Sequence, residues 1–126
     1  MKCGEIFGFV TDQSPNHRRR YKYHLYLCIS PNVAGEHLLM LISSNGSDHC
    51  FRIDQNDWSQ MRKKHSYVNF QELYAYHFND FQEVKPKGKL TDEALLNLMN
   101  HAGNSKTLTD DQIDIIIDAL RSHLYQ

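Results

Sequence analysis

The sequence of 126 residues lacks the features that define several large classes of protein. Its three cysteines are an odd number at wide spacings, which fits reduced thiols better than a disulfide framework or a zinc site. No apolar run follows a basic N-terminus, and no window approaches the about 20 apolar residues of a membrane span. With 14 basic and 15 acidic residues, no overall charge indicates nucleic acid or an anionic membrane as partner. We therefore expect a soluble, cytoplasmic protein without a membrane partner.

The length of the chain fits one domain that can bury a substantial core. We expect a single domain over residues 1–126, with a barrel at about 1–84 and a helical pair at about 90–125. Eight histidines and seven tyrosines are present, and most of them lie before residue 80. The first two thirds of the chain are therefore locally basic and aromatic, although the whole chain is nearly neutral.

Short strand-forming runs fill the first two thirds of the sequence. Residues 22–30 alternate their larger side chains between two faces, whereas residues 37–43 are almost continuously apolar, which predicts burial on both sides. We expect these two runs to pair at the centre of a small barrel, because several short strands separated by turns are typical of barrels. Further strands are predicted at 4–10, 49–53, 66–70 and 72–78, with a turn-rich junction at 85–88.

Two helices are predicted after residue 90 from their start signals. Thr91 and Thr109 are N-caps followed by acidic residues, and Gln112 completes a capping box with Thr109. The first helix should end near Gly103. In the second helix, apolar residues recur at i, i+3, i+4, i+7 and i+11 from Ile113, which predicts one apolar stripe. We expect the preceding helix or the barrel to cover that stripe.

The order of these parts resembles the MazF/PemK (Kid/CcdB-like) family of small bacterial type II toxins over roughly residues 4–100. Members begin with a short Gly-acid-aliphatic strand, continue with a basic loop, and have later strands that end in hydroxyl residues. The corresponding segments here are Gly-Glu-Ile at 4–6, the loop at 14–20, His-Leu-Tyr-Leu-Cys-Ile-Ser at 24–30, Leu-Ile-Ser-Ser at 41–44, Ser-Tyr-Val-Asn-Phe-Gln-Glu-Leu-Tyr at 66–74 and Gly-Lys-Leu-Thr at 88–91.

This resemblance implies a mainly β (α+β) fold, with a small Src-homology-3-like barrel of five to seven strands and two C-terminal helices. It also implies a metal-independent endoribonuclease that cleaves single-stranded RNA without a cofactor, as the growth-inhibiting component of a toxin–antitoxin system. The expected partners are RNA, a cognate antitoxin protein and a second copy in a homodimer. The arginine that family members use at the phosphate is His24 in this alignment, with Arg20 and Lys22 close by.

Metal-independent RNA cleavage requires a base, an acid and stabilisation of charge at the phosphorus. Histidine fits either proton-transfer role because its pKa is ordinarily about 6.5. We therefore expect His24 and Ser43 to meet on one face as catalytic residues. Arg20 would supply charge, and His65 would be a second acid or base. Tyrosines interleaved with cations suit the stacking of unpaired bases. The expected RNA-binding residues are Arg18, Arg19, Lys22, Tyr23, Ser44, Lys63 and Lys64.

Each of these groups also has a purely structural interpretation. His24 can be a strand histidine that is hydrogen-bonded to a neighbour, and Ser43 and Ser44 can satisfy backbone groups of the Asn-Gly turn at 45–46. The basic residues at 18–20 and 62–65 can be solvated surface, and the tyrosines can pack inside the barrel. The alternative function is therefore a non-catalytic barrel module that binds RNA or a protein partner. No histidine spacing indicates a metal site.

Overall fold

The computed structural model describes residues 1–11, 20–46, 49–77 and 84–126. Arg18 and Arg19, which were predicted to bind RNA, lie outside the described residues. Two α-helices follow the strands, α1 (Asp92–Ala102) and α2 (Asp110–Leu124). The strands are β1 (Glu5–Thr11), β2 (Arg20–Ile29), β3 (Glu36–Ser43), β4 (Cys50–Asp54), β5 (His65–Asn69), β6 (Tyr74–His77) and β7 (Pro86–Lys89).

The seven strands form one curled antiparallel sheet, shaped as a half-barrel, in the order β4-β5-β3-β2-β1-β7. Strand β6 pairs with the same edge of β3 as β5 does: Leu39 lies opposite Tyr74, and Ile42 lies opposite Val68. The prediction of a mainly β, barrel-like fold with two C-terminal helices is confirmed. The predicted central pairing of β2 with β3 is also confirmed, with His24 opposite Leu41.

Both faces of the central strands are buried, as the apolar run of β3 predicted. Successive side chains of a strand point to opposite faces, so Met40 and Ile42 enter one core, whereas Leu39 and Leu41 enter another. We call the first the helix-side core, because it also contains residues of α1 and α2. The second, which we call the aromatic core, consists of Phe7, Phe9, Tyr26, Leu39, Leu41, Tyr74 and Tyr76.

The helices begin at the predicted N-caps and cover part of the helix-side core. The Thr91 hydroxyl accepts a hydrogen bond from the Ala94 amide, and Thr109 forms the predicted capping box. Ile116 and Leu120, on the predicted stripe of α2, are fully buried. The stripe is therefore covered by α1 and the sheet, as expected. Among the described residues, no helix has the length and apolar character required to cross a bilayer.

The region predicted as a turn-rich junction instead contains strand β7. Local composition favoured a turn, but pairing with β1 places Pro86 opposite Phe7. Gly88 permits this path because its φ of 110° is strained for other residues. The first helix ends at Gly103 as predicted, although that glycine has an ordinary right-handed φ of −62°. Strand β7 also contributes Lys87 to the groove described below.

Candidate nucleic-acid interface

An open groove lies at the start of β2, at the end of the helix-side face of the sheet, beyond the part that α1 and α2 cover. It consists of two adjoining cavities of about 280 and 420 Å³. Side chains from β2, from the end of β3 and from the segment 58–63 surround it. We call it the aromatic–basic groove, and its lining residues are Tyr21, Lys22, Tyr23, Ile42, Ser43, Ser44, Trp58, Gln60, Met61, Arg62, Lys63, Ser66 and Lys87.

A single helical turn after β4 positions Trp58 in the groove. The Asp54 carbonyl accepts hydrogen bonds from the amides of Asp57 and Trp58, at 3.0 Å each. The Asp57 carboxylate in turn accepts a bond from the Asp54 amide at 2.9 Å. The indole Nε1 of Trp58 donates to the Lys87 carbonyl at 2.8 Å, which attaches this turn to β7. This turn is thus the element that builds one side of the groove.

Three aromatic rings form a continuous series along the groove. The rings of Tyr21 and Tyr23 are 5.5 Å apart and those of Tyr23 and Trp58 are 5.2 Å apart, both in edge-to-face geometry. Trp58 is buried, whereas Tyr21 is 49% exposed. The Tyr21 side chain crosses the strand surface at Gly8, where an added Cβ would collide with the tyrosine hydroxyl. The groove therefore presents a half-exposed ring on an aromatic base.

Positive charge lies beside these rings. Arg62 and Lys63 are exposed lining residues on the side opposite β2. The Arg62 guanidinium is close enough to Tyr21 to oppose the rise in the pKa of its hydroxyl that burial and Tyr23 cause. Lys22 of β2 and Lys87 of β7 bring the cations among the described lining residues to four. Among the described lining residues no carboxylate is present, so an anionic ligand meets no opposing charge there.

The groove brings together five of the residues predicted from the sequence. The predicted residues that line it are Lys22, Tyr23, Ser43, Ser44 and Lys63. Tyr23 lies opposite Ile42, and the next step of the same antiparallel register places Lys22 level with Ser43. The Ser43 hydroxyl donates a hydrogen bond to the Asn45 carbonyl at 2.8 Å. This contact stabilises the turn at 45–46, as the structural interpretation of Ser43 predicted. Its oxygen keeps acceptor capacity for a ligand.

The four other described candidates lie outside the groove lining. Arg20 is exposed at the first residue of β2, opposite Thr11. Lys64 is exposed, and His65 is half-buried at the start of β5, opposite Asp54, with its ring 5.5 Å from that of Tyr67. His24 is discussed separately because its position bears directly on catalysis.

His24 is completely buried in the aromatic core. Its ring stacks on Phe9 at 4.3 Å, and its Nε2 shares a 3.2 Å hydrogen bond with the Tyr76 hydroxyl. Burial lowers the pKa of His24 to about 4, against opposing contributions from backbone groups of Lys22 and Phe7. Strand alternation does place His24 on the same face as Ser43, as predicted. In this conformation, however, the imidazole is neutral at pH 7 and out of reach of a bound substrate.

Tyr26 belongs to the same buried region. Its hydroxyl is 2.7 Å from Nδ1 of His37, which is buried as well. Burial lowers the pKa of His37 and raises that of Tyr26 to about 12. Two of the eight histidines, His24 and His37, thus form hydrogen bonds in this buried region. No histidine is among the described residues that line the groove.

A larger cavity of about 630 Å³ lies at the other end of β2, against α2. It contains Cys3 and Cys28, and burial raises the pKa of both thiols, to about 12 for Cys3. Because the thiolate is the reactive form, these cysteines are poor nucleophiles at neutral pH. None of the residues predicted to bind or cleave RNA lines this cavity.

The sequence predictions missed five contributors to the groove, which come from three separate parts of the chain. Tyr21 and Arg62 were recognised as aromatic or basic surface but not assigned to the site. Trp58, Gln60 and Lys87 were not assigned at all. The one usable signal was the single tryptophan of the chain, four residues before the basic cluster that starts at Arg62. Among the described residues, no group of three or more histidine, cysteine or acidic side chains is arranged to hold a metal ion.

No protein-family model matches the chain, and neither a curated protein nor a solved structure gives a match. Membership of the MazF/PemK family therefore stays a prediction from the sequence.

Proposed function

We propose that the protein binds single-stranded RNA in the aromatic–basic groove. The observation that carries this proposal is the half-exposed ring of Tyr21 beside the Arg62 guanidinium, on a base formed by Tyr23 and Trp58. Unpaired bases stack on aromatic rings, and cations along the same groove neutralise the phosphates between them. A duplex cannot offer its bases in this way because they are already stacked and paired.

The groove has the dimensions and charge that such a ligand needs. Its two cavities, of about 280 and 420 Å³, share Tyr21, Trp58 and Arg62, so neighbouring nucleotides can occupy them in succession. Cations lie on two sides of the rings and can contact phosphates there. They are Arg62 and Lys63 on one side and Lys87 on another. The near-neutral net charge of the whole chain makes this local concentration of charge the main source of attraction for RNA.

We expect replacement of Tyr21 by alanine to weaken binding of a 10-nucleotide single-stranded RNA by about tenfold, because stacking contributes about 1–3 kcal/mol per base. Fluorescence anisotropy of the labelled RNA at fixed salt measures the affinity. Tyr125→Ala is a matched control, since Tyr125 is 67% exposed at the end of α2, far from the groove lining. Wild-type protein that fails to bind the RNA at low salt would contradict the proposal.

A second candidate function, cleavage of the bound RNA, is favoured by the position of Lys22 level with Ser43 at the groove. In this reaction the RNA 2′-oxygen bonds to phosphorus while the bond to the 5′-oxygen breaks. The 2′-hydroxyl loses its proton to water, and the leaving oxygen takes one from water. The products are a 2′,3′-cyclic phosphate and a 5′-hydroxyl. Lys22 would stabilise the charge on phosphorus, and Ser43 would accept a hydrogen bond from the 2′-hydroxyl.

With this activity the protein would be a metal-independent endoribonuclease that inhibits growth from the cytoplasm, as the MazF/PemK resemblance implies. The predicted homodimer and the cognate antitoxin belong to the same proposal. The support for all three is the order of sequence segments at residues 4–100, together with the barrel-like fold. Binding without cleavage is the alternative that the geometry supports directly.

We expect Lys22→Met to slow cleavage of 5′-labelled RNA by about a hundredfold in excess chelator, because loss of one charge-stabilising group at the reacting centre costs about 10²–10³ in rate. Binding should weaken much less than cleavage, and growth arrest on expression should be relieved. Ser43→Ala provides a second variant with the same direction of effect. If the wild type binds RNA but yields no cyclic phosphate, the cleavage candidate fails and the binding proposal stands.

A further inference from the structure

Gln60 occupies a distinctive position in the aromatic–basic groove. It lines both cavities and is exposed. The groove is otherwise lined by rings, cations, hydroxyls and apolar side chains, so Gln60 carries its one side-chain amide among the described lining residues. Within the described part of the chain, that amide makes no hydrogen bond. A group that offers both a donor and an acceptor is thus available where the two cavities meet.

The Gln60 side chain lies near Trp58 at Gly88 of β7. An added Cβ on Gly88 would lie 2.8 Å from Nε1 of Trp58 and 3.4 Å from Cδ of Gln60. The amide therefore lies over the glycine, close to the indole that ends the series of rings. A base that stacks in the groove would turn one of its edges towards this amide.

Resting on the proposed RNA binding, we propose that Gln60 reads the edge of one unpaired base and that this base is adenine. A carboxamide pairs with a base edge that has a donor and an acceptor side by side. Adenine has such a pair on both edges, formed by its N6 amino group with either N1 or N7. Glutamine contacts N6 and N7 of adenine bidentately in the same way in DNA recognition.

Only adenine offers the amide a donor–acceptor pair on both its Watson–Crick edge and its Hoogsteen edge. Guanine has two adjacent acceptors, O6 and N7, on its Hoogsteen edge, and a pyrimidine has a matching pair only on its Watson–Crick edge. Adenine can therefore satisfy Gln60 in either orientation in the groove. As a purine it also covers more of the aromatic surface than cytosine or uracil does. Both effects act in the same direction.

The test uses the heptamers U₃XU₃, with X being adenine, cytosine, guanine or uracil, titrated against full-length protein by fluorescence anisotropy. We expect the adenine heptamer to bind the wild type about tenfold more tightly than the uracil heptamer, the effect of one bidentate contact. Gln60→Leu, which keeps the size of the side chain but removes the amide, should lose the preference for adenine over guanine, the other purine. Gln71→Leu, an exposed glutamine outside the groove, should retain the preference.

A fifth heptamer separates hydrogen bonding from stacking. Purine riboside at X keeps the ring system of adenine but lacks the N6 amino group, so it should keep the stacking of adenine and yet bind the wild type about tenfold more weakly than the adenine heptamer. A wild-type protein that binds every heptamer equally overturns the role of Gln60 and leaves the RNA-binding proposal intact. A Gln60→Leu protein that still binds the adenine heptamer more tightly than the purine-riboside heptamer also overturns it. Absence of binding to any heptamer would instead contradict RNA binding itself.

Discussion

Reversal of the charges at Arg62 and Lys63 should reduce affinity for single-stranded RNA by about several hundredfold. Each phosphate contact changes log K by about 0.7 per tenfold change in salt, so at about 0.1 M salt each contact contributes about fivefold. Loss of both contacts alone would cost about 25-fold, and two glutamates add repulsion of similar size. For the variant Arg62→Glu, Lys63→Glu, the slope of log K against the logarithm of the salt concentration should also be shallower than that of the wild type by at least about 1.4.

The matched control for this variant is Lys106→Glu, Arg121→Glu. It produces the same change in net charge at two exposed residues outside the groove. If affinity depends on the groove, the control should retain most of the wild-type affinity and salt slope. Equal losses in the two double variants would mean that RNA responds to overall charge, and the aromatic–basic groove would then not be the binding site. Circular dichroism of both variants checks that the fold is retained.

Replacement of His24 by glutamine should remove much of the acid sensitivity of the fold. Burial lowers the pKa of His24 to about 4 in the folded protein, whereas the unfolded chain binds a proton near pH 6.5. The unfolded state therefore binds more protons between these values. The contribution of neutral His24 to the free energy of unfolding is therefore fully present above pH 6.5, and it is lost as the pH falls towards 4. The loss amounts to about 3 kcal/mol, from about 2.5 pKa units at about 1.4 kcal/mol each.

Urea unfolding of wild type and His24→Gln at a series of pH values between 8 and 4 measures this effect. Glutamine can still bond to the Tyr76 hydroxyl, but it cannot titrate in this range. Lys22 on β2 and Tyr74 and Tyr76 on β6 surround the site in both proteins. His37, whose pKa burial also lowers, contributes equally to both. If stability falls with pH in parallel for the two proteins, His24 does not cause the acid sensitivity. The pKa of His24 would then not be lowered by burial, and His24 would again be a candidate for an accessible site residue.

The sequence predicted the central strands and the helices well because their signals are local. The apolar run of β3 and the threonine caps at 91 and 109 need only a few neighbouring residues to be recognised. Strand β7 was missed because Pro86 and Gly88 disfavour a strand locally. This segment becomes a strand only because it pairs with β1. Its position depends on contacts about 80 residues apart, which composition does not reveal.

The candidate site was predicted only in part, for two physical reasons. The pattern of β2 placed Lys22 and Tyr23 correctly, since alternation is set by the strand itself. The pattern of β2 did not reveal that the aromatic core covers the sheet face on which His24 lies. His24, which was predicted to transfer protons, is therefore buried. The other side of the groove comes from Trp58, Gln60 and Arg62, which approach β2 through the turn after β4 and the attachment of Trp58 to β7. The position of these three residues beside β2 depends on contacts between distant parts of the folded chain, which the local sequence pattern does not show.

The composition of β7 has a consequence for self-association. This strand is at one end of the sheet order, and an edge strand with free backbone groups can recruit a strand from another molecule. Its sequence, Pro-Lys-Gly-Lys, opposes such recruitment: proline has no amide hydrogen to donate, and the two lysines make an approaching copy electrostatically unfavourable. The strand that contributes Lys87 to the groove thus also protects this end of the sheet against edge-to-edge aggregation. A homodimer of this protein would have to form through another surface.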